Sequence, residues 1–128
     1  MATKVPSTIW GLIILVIVLR AKKFLRGFLF YYSFFKAAKQ GKELLRQWVW
    51  NLDKAEDIHA NVLGKYLWDD LYLKPDSKVK FGNPKETMSS VIGKCDLYNS
   101  LSKHGQDLRD SLNKIEKDHT KLAIDWLV

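Results

Sequence analysis

The chain has 128 residues, 47% of them hydrophobic, and its 21 Lys and Arg against 14 Asp and Glu leave a formal net charge of +7. This length allows one small domain beyond an apolar N-terminal stretch. Cys95 is the only cysteine, which excludes an intrachain disulfide and a cysteine-rich zinc site. Because so small a domain buries little surface, we expect a partner chain or a membrane surface to complete its core.

The N-terminal stretch from Val5 to Leu19 has no charged residue, and it is apolar without interruption from Ile9 onward. A helix that crosses a bilayer needs about 20 apolar residues, and flanking Lys and Arg side chains extend its usable length. The pattern predicts a transmembrane anchor over residues 1–21, with a shallow insertion and a buried soluble helix as alternatives. The residues expected to contact the membrane are Ile9, Trp10, Leu12, Ile13, Ile14, Leu15, Val16, Ile17, Val18, Leu19, Arg20, Lys22, Lys23 and Arg26.

The charges that flank this stretch predict its orientation. One Lys precedes it and four basic residues follow it, the reverse of a cleaved signal peptide. Basic flanks stay in the cytoplasm. We therefore expect a single-pass protein of the cytoplasmic membrane, with its N-terminus outside and its C-terminus inside.

Residues 22–42 mix basic and aromatic side chains. Their apolar members repeat at helical spacing (Phe24, Leu25, Phe28, Leu29 and Tyr32), while the basic side chains lie mostly elsewhere around the axis. This pattern is typical of an interfacial juxtamembrane helix, and the alternative is that the aromatic residues form the core of the next domain. The same mixture suits single-stranded nucleic acid, but its position beside an apolar anchor favours lipid, so nucleic acid is not an expected partner.

Residues 43–128 are predicted to form a small helical domain, either a bundle or a helical hairpin. A first apolar stripe is expected to run along a helix from Glu43 to Trp68 that bends at Gly64: Leu45, Trp48, Leu52, Ala55, His59, Val62 and Tyr66. A loop from Leu73 to Asn83 should follow. The next helix is predicted from Pro84 to Ile92, with Asn83 as N-cap, Glu86 in a capping box and Gly93 as its end.

The last third of the chain has a heptad-like seam, made of Leu97, Leu101, His104, Leu108, Leu112, Ile115, His119, Leu122 and Trp126. Such a seam requires a facing helix from the same chain or from a second copy. We expect Leu108, Leu112, Ile115 and Leu122 to be buried, and Gly105 to break the seam into a hairpin. A protein partner or a homo-oligomer is therefore expected.

Residues that carry chemistry are few. His59, His104 and His119 fall on predicted apolar stripes, but no ligand spacing accompanies them, so neither a metal site nor a cofactor is expected. Ser89, Ser90, Asp118 and His119 are the residue types of a nucleophile, base and orienting acid. They lack a nucleophile elbow, and neighbours on a helix point about 100° apart, so we expect no enzyme and no catalytic residue.

One motif resembles a known group of proteins. The run FGNPKETMSSVIGK from Phe81 to Lys94 is similar to the Gly-x-Pro-x-Glu-Thr-x-Ser-Ser-x-x-Gly-Lys pattern of small, mostly uncharacterised proteins of tailed phages and prophages. Flanking pieces of those proteins are also similar to parts of this chain: Leu52-Asp53 and Ala60-Asn61-Val62-Leu63 upstream, and Lys117-Asp118-His119 later. The resemblance implies a bacteriophage source, hence a host membrane, and it marks as candidate functional residues Glu86, Thr87, Ser89, Ser90, Asp118 and His119.

These observations favour a phage-encoded, membrane-anchored helical interaction protein without enzymatic activity. One alternative is a component that is carried in the virion or that acts on the host envelope in lysis or genome delivery. A nucleic-acid-binding factor is the second alternative.

Overall fold

The computed structural model describes residues 7–128, apart from the side chain of Phe24, and these residues form helices without a β-strand. In chain order they are α1 (Ile9–Gln40), α2 (Lys42–Leu63), α3 (Lys65–Tyr72), α4 (Met88–Leu97), α5 (Lys103–Ile115) and α6 (His119–Leu122). The predicted all-α class is confirmed. The chain divides into two compact units, of which the first ends at Val49 and the second runs from Trp50 to Val128.

Helix α1 dominates the first unit. It begins after Thr8, whose Oγ1 accepts a hydrogen bond from the amide of Gly11 at 3.1 Å. It ends at Gly41, whose φ of 129° is open to glycine and strained for other residues. Trp48 of α2 packs on the rings of Phe30 and Phe34, with centroid distances of 5.4 and 6.4 Å.

The predicted transmembrane span is wrong, because no helix within residues 7–128 is long and apolar enough to cross a membrane. The eleven apolar residues from Ile9 to Leu19 rise by about 17 Å as a helix, against roughly 30 Å of bilayer hydrocarbon. Arg20, Lys22, Lys23 and Arg26 then interrupt the apolar pattern. The single-pass, N-out and C-in placement is therefore wrong as well. The first six residues of the predicted anchor lie outside the described residues.

The second unit packs around a core made of Leu73, Phe81, Val91, Ile92, Cys95 and Leu101. Helix α4 lies at its centre, since every residue from Ser89 to Cys95 is buried. An isolated antiparallel bridge joins Leu73 to Leu101, so the segment after α3 lies against the turn before α5.

The predicted bend and loop are both present. Helix α2 ends at Leu63, α3 begins after Gly64, and no helix forms between α3 and α4. The predicted stripe is half-buried at Leu45, Trp48 and Leu52. Its later members are exposed, against the prediction: Ala55, His59, Val62 and Tyr66.

The predicted boundaries of the next helix are wrong. Helix α4 starts four residues later than Pro84, because Thr87 is its N-cap and its Oγ1 accepts from the amide of Ser90 at 3.1 Å. The Asn83 side chain instead accepts from the amide of Lys85 at 3.0 Å. Gly93 lies inside α4, and a Cβ there would stand 2.2 Å from the carbonyl oxygen of Thr120.

The predicted seam of the last third is wrong in part. Gly105 lies in the first turn of α5, where a Cβ would stand 2.2 Å from the carbonyl oxygen of Tyr72, so this glycine permits α3 and α5 to pack closely. Leu108 packs against the core, and Leu112 is half-buried. Ile115 and Leu122 are 83% and 72% exposed, because α5 ends at Ile115 and the turn before α6 changes the helical register.

Candidate functional site

The motif that resembles the phage proteins lies at the start of α4, inside a set of buried polar contacts. We call this set the α4 network, and its members are Asp57, Asn61, Glu86, Ser89, Ser90, Lys94 and His119. Within residues 7–128, no buried side-chain nitrogen or oxygen lacks a hydrogen-bond partner. The α4 network is therefore satisfied internally, which buried polar groups require to avoid a desolvation cost.

Glu86, Ser90 and Lys94 form the most buried part of the α4 network. The side chains of Glu86 and Lys94 are 5% and 8% exposed, and their Oε1 and Nζ atoms lie 2.6 Å apart. Ser90 Oγ donates to Glu86 Oε1 at 2.6 Å and accepts from the amide of Asp125 at 2.9 Å. Lys94 Nζ also donates to the backbone oxygen of Val128 at 2.6 Å. These contacts attach the C-terminal segment to α4.

Asn61, on α2, holds the chain just before α4. Its side chain is fully buried, and its Nδ2 donates to the carbonyl oxygens of Asn83 and Glu86 at 3.2 and 2.7 Å. Its Oδ1 accepts from the amide of Gly82 at 2.8 Å. Gly82 has a φ of 109°, so a glycine is required where this turn meets α2.

Asp57, also on α2, binds the first turn of α4. Its Oδ1 accepts from the amide of Met88 at 3.2 Å, and its Oδ2 accepts from the amide and the hydroxyl of Ser89 at 3.4 and 2.9 Å. A carboxylate at a helix N-terminus satisfies free amides and favours the positive end of the helix dipole. Asp57 thus joins α2 to α4 with a charge-assisted contact.

Ser89, His119 and Glu116 lie in the order of a nucleophile, a base and an orienting acid. His119 Nε2 is 3.3 Å from Ser89 Oγ, and His119 Nδ1 is 2.9 Å from Glu116 Oε2. Ser89 has one hydroxyl proton, however, and the shorter contact gives it to Asp57 rather than to the imidazole. The amides of Met88 and Ser89 are bound by Asp57 and that of Ser90 by Thr87, so this helix end offers no free amide pair to stabilise an oxyanion.

The structure brings together most of the candidate residues named from the motif. Glu86, Ser89, Ser90 and His119 belong to the α4 network, and Thr87 caps α4. Asp118 does not join them, because it stands exposed just before α6 with a φ of 59° and its side chain makes no capping hydrogen bond.

Sequence reasoning missed Asp57, Asn61, Lys94 and Glu116. A local signal for Lys94 was present, since Glu86, Ser90 and Lys94 recur every four residues and therefore share one helix face. No comparable local spacing marks Asp57 or Asn61, whose partners lie 21 to 32 residues away in the chain.

Cys95 lies beside the α4 network, and burial raises the pKa of its thiol from the ordinary 9.0 to about 11. Because the thiolate is the reactive form, we expect Cys95 of the folded protein to resist Ellman's reagent at pH 7.5 and to react fully in denaturant. The raised pKa also means that folding holds this proton more tightly. The stability that this tighter binding contributes is complete below about pH 9 and is lost as the pH rises through about 11.

Rapid labelling of Cys95 in the native protein at pH 7.5 would contradict the labelling prediction, because it would show that the thiol is accessible.

In residues 7–128, no three side chains of His, Cys, Asp or Glu are arranged to hold a metal ion. His59 and His104 are exposed, and only His119 reaches the α4 network. No protein-family model, curated protein or solved structure matches the chain. The relationship to phage proteins therefore stays a prediction that rests on the motif from Phe81 to Lys94.

Proposed function

We propose that this protein is a phage-encoded, non-enzymatic helical interaction protein that binds a lipid surface through α1 and presents its second unit to a protein partner. One observation carries the proposal. The side chains of α1 from Leu12 to Leu19 are each at least 40% exposed, as are Ile9 and Trp10, and four basic residues follow directly. So long an exposed apolar surface marks an interaction site.

Charge supports a lipid rather than a protein as the ligand of α1. Residues 1–49 carry nine Lys and Arg and one Glu, whereas residues 50–128 carry twelve basic and thirteen acidic residues. The positive charge of the protein therefore lies beside its exposed apolar segment. Basic residues near an anionic bilayer contribute about 1 kcal/mol each.

The second unit supports the protein-binding half of the proposal. Its α4 network has no oxyanion site and no unsatisfied buried group, which favours a structural role over a catalytic one. Large apolar side chains are exposed near its C-terminus: Ile115, Leu122, Trp126 and Leu127. Exposed aromatic and aliphatic side chains of this kind are typical anchors of protein interfaces.

Vesicle flotation tests the lipid-binding half. Changing Arg20, Lys22, Lys23 and Arg26 together to Gln removes about 4 kcal/mol of attraction, so binding to phosphatidylglycerol vesicles should weaken by roughly a thousandfold. The matched control replaces four exposed lysines of the second unit by Gln (Lys85, Lys114, Lys117 and Lys121) and should change binding far less. Equal losses in the two variants would contradict the role of α1.

A further inference from the structure

Helix α1 is not uniform along its length, and its three parts present different surfaces. From Ile9 to Leu19 the helix is apolar on every side and exposed, so this part has no polar face to turn toward water. A helix that lies flat at a bilayer surface needs such a face. The first part of α1 therefore does not suit flat binding.

The middle part of α1 does have two faces. At about 100° per residue, Arg20, Lys22, Lys23 and Arg26 lie within an arc of about 160°. The opposite arc holds Leu25, Phe28, Leu29 and Tyr32, of which each is at least 55% exposed. The contact with Trp48 lies on the basic side, because Phe30 and Phe34 project there. Helix α2 thus leaves the apolar arc uncovered within this unit.

The last part of α1 reverses the character of that uncovered arc. Lys36 and Lys39 follow Tyr32 on the same side of the helix, and both are exposed. The Lys36 ammonium lies 5.8 Å from the centre of the Tyr32 ring. The side that would face the acyl chains is therefore apolar as far as Tyr32 and basic beyond it. A helix that lay flat along its whole length would have to bury Lys36 and Lys39 in hydrocarbon.

We infer that α1 enters an anionic lipid leaflet obliquely, with Ile9 to Leu19 among the acyl chains and the four basic residues at the headgroups. The length fits a single leaflet, since the apolar part rises by about 17 Å and one leaflet has roughly 15 Å of hydrocarbon. The slant carries Lys36 and Lys39 away from the hydrocarbon, to the water side of the headgroups. This inference rests on the proposed lipid binding and adds to it the geometry of insertion.

Depth measurements by spin labelling test the inference on the full chain. In a Cys95→Ala background, nitroxides are placed singly by Trp10→Cys, Ile13→Cys, Ile14→Cys, Leu15→Cys, Phe28→Cys, Tyr32→Cys and Lys39→Cys. With vesicles of phosphatidylglycerol and phosphatidylcholine, oxygen and nickel accessibility should place labels 10 to 15 in the hydrocarbon and labels 28, 32 and 39 progressively nearer to water. Labels 13, 14 and 15, on three sides of the helix, should all lie in the hydrocarbon, whereas a flat helix would leave at least one of them in water.

Two other outcomes overturn different parts of the account. Depths between positions 10 and 15 that oscillate with the helical period about a constant mean, with one side of the helix in water, would show a flat helix. This result would overturn the oblique insertion while leaving lipid binding in place. Labels that stay in water with vesicles, or that are immobilised in their absence because two copies of α1 associate, would overturn both.

Discussion

Lys94→Met is expected to lower the free energy of unfolding of the second unit by about 3–5 kcal/mol. The change leaves the Glu86 carboxylate buried with only the Ser90 hydroxyl as a partner, and it also removes the contact between Lys94 and the backbone oxygen of Val128. A unit of this size has a total stability of about 4–12 kcal/mol, so the loss is a large fraction of it. Urea denaturation followed by circular dichroism measures the change.

Two matched variants make this expectation specific. Lys103 pairs with Asp107 in an exposed i, i+4 contact, so Lys103→Met should cost no more than about 1 kcal/mol. The double variant Glu86→Leu with Lys94→Met removes both buried charges and should recover much of the stability lost by Lys94→Met alone. Equal costs for Lys94→Met and Lys103→Met would show that the buried pair does not hold the C-terminal segment.

Gly93→Ala is the second change with a large expected effect. In most helices this substitution stabilises by about 1 kcal/mol. Here the added Cβ would stand 2.2 Å from the Thr120 carbonyl oxygen. This oxygen belongs to the backbone, so it cannot move away by a change of side-chain rotamer. We expect a net loss of about 1–3 kcal/mol and a detached α6, measured by thermal unfolding and by amide exchange of residues 119–125.

Gly27→Ala is the control for this change. Gly27 lies in the middle of α1, and a Cβ there meets no atom within 4 Å. The stability of the second unit should therefore be unchanged by Gly27→Ala. A Gly93→Ala protein that is as stable as the wild type would mean that α4 and α6 do not approach as closely as the structure shows.

The elements that were predictable have local signals. The helical periodicity, the bend at Gly64 and the loop from Leu73 to Asn83 each depend on residues within a few positions of one another, and all three are present. The predicted start of α4 rested on one local signal, Asn83 before Pro84. The structure uses Thr87 as the N-cap instead, because Asn61 on α2 holds the turn that contains Asn83.

The features that were mispredicted depend on distant parts of the chain. Gly93 resembles a helix end, but it is a point of close approach to Thr120, which local sequence does not reveal. The heptad seam continues through Ile115 in the sequence, whereas the structure turns there and exposes Ile115 and Leu122. The predicted anchor is longer than the apolar run, because the basic residues from Arg20 onward end that run after eleven residues.

The candidate site shows the same division. The motif from Phe81 to Lys94 identified most of the residues that α4 contributes, because they are contiguous in the sequence. The groups that give those residues their roles come from α2, from the turn before α6 and from the C-terminal segment. Their positions depend on the tertiary fold, so neither Asp57 nor Glu116 was identified.

Lipid binding by α1 is the central claim, and the partitioning of the unmodified protein into vesicles tests it most directly. We expect the partition coefficient to rise steeply with the fraction of phosphatidylglycerol. It should fall as the salt concentration is raised from 50 to 500 mM, because the Debye length shortens from about 14 to about 4 Å. A residual, salt-independent affinity should remain, because the apolar part of α1 is unaffected by screening. A protein that stays in the soluble fraction at every lipid composition would contradict the account.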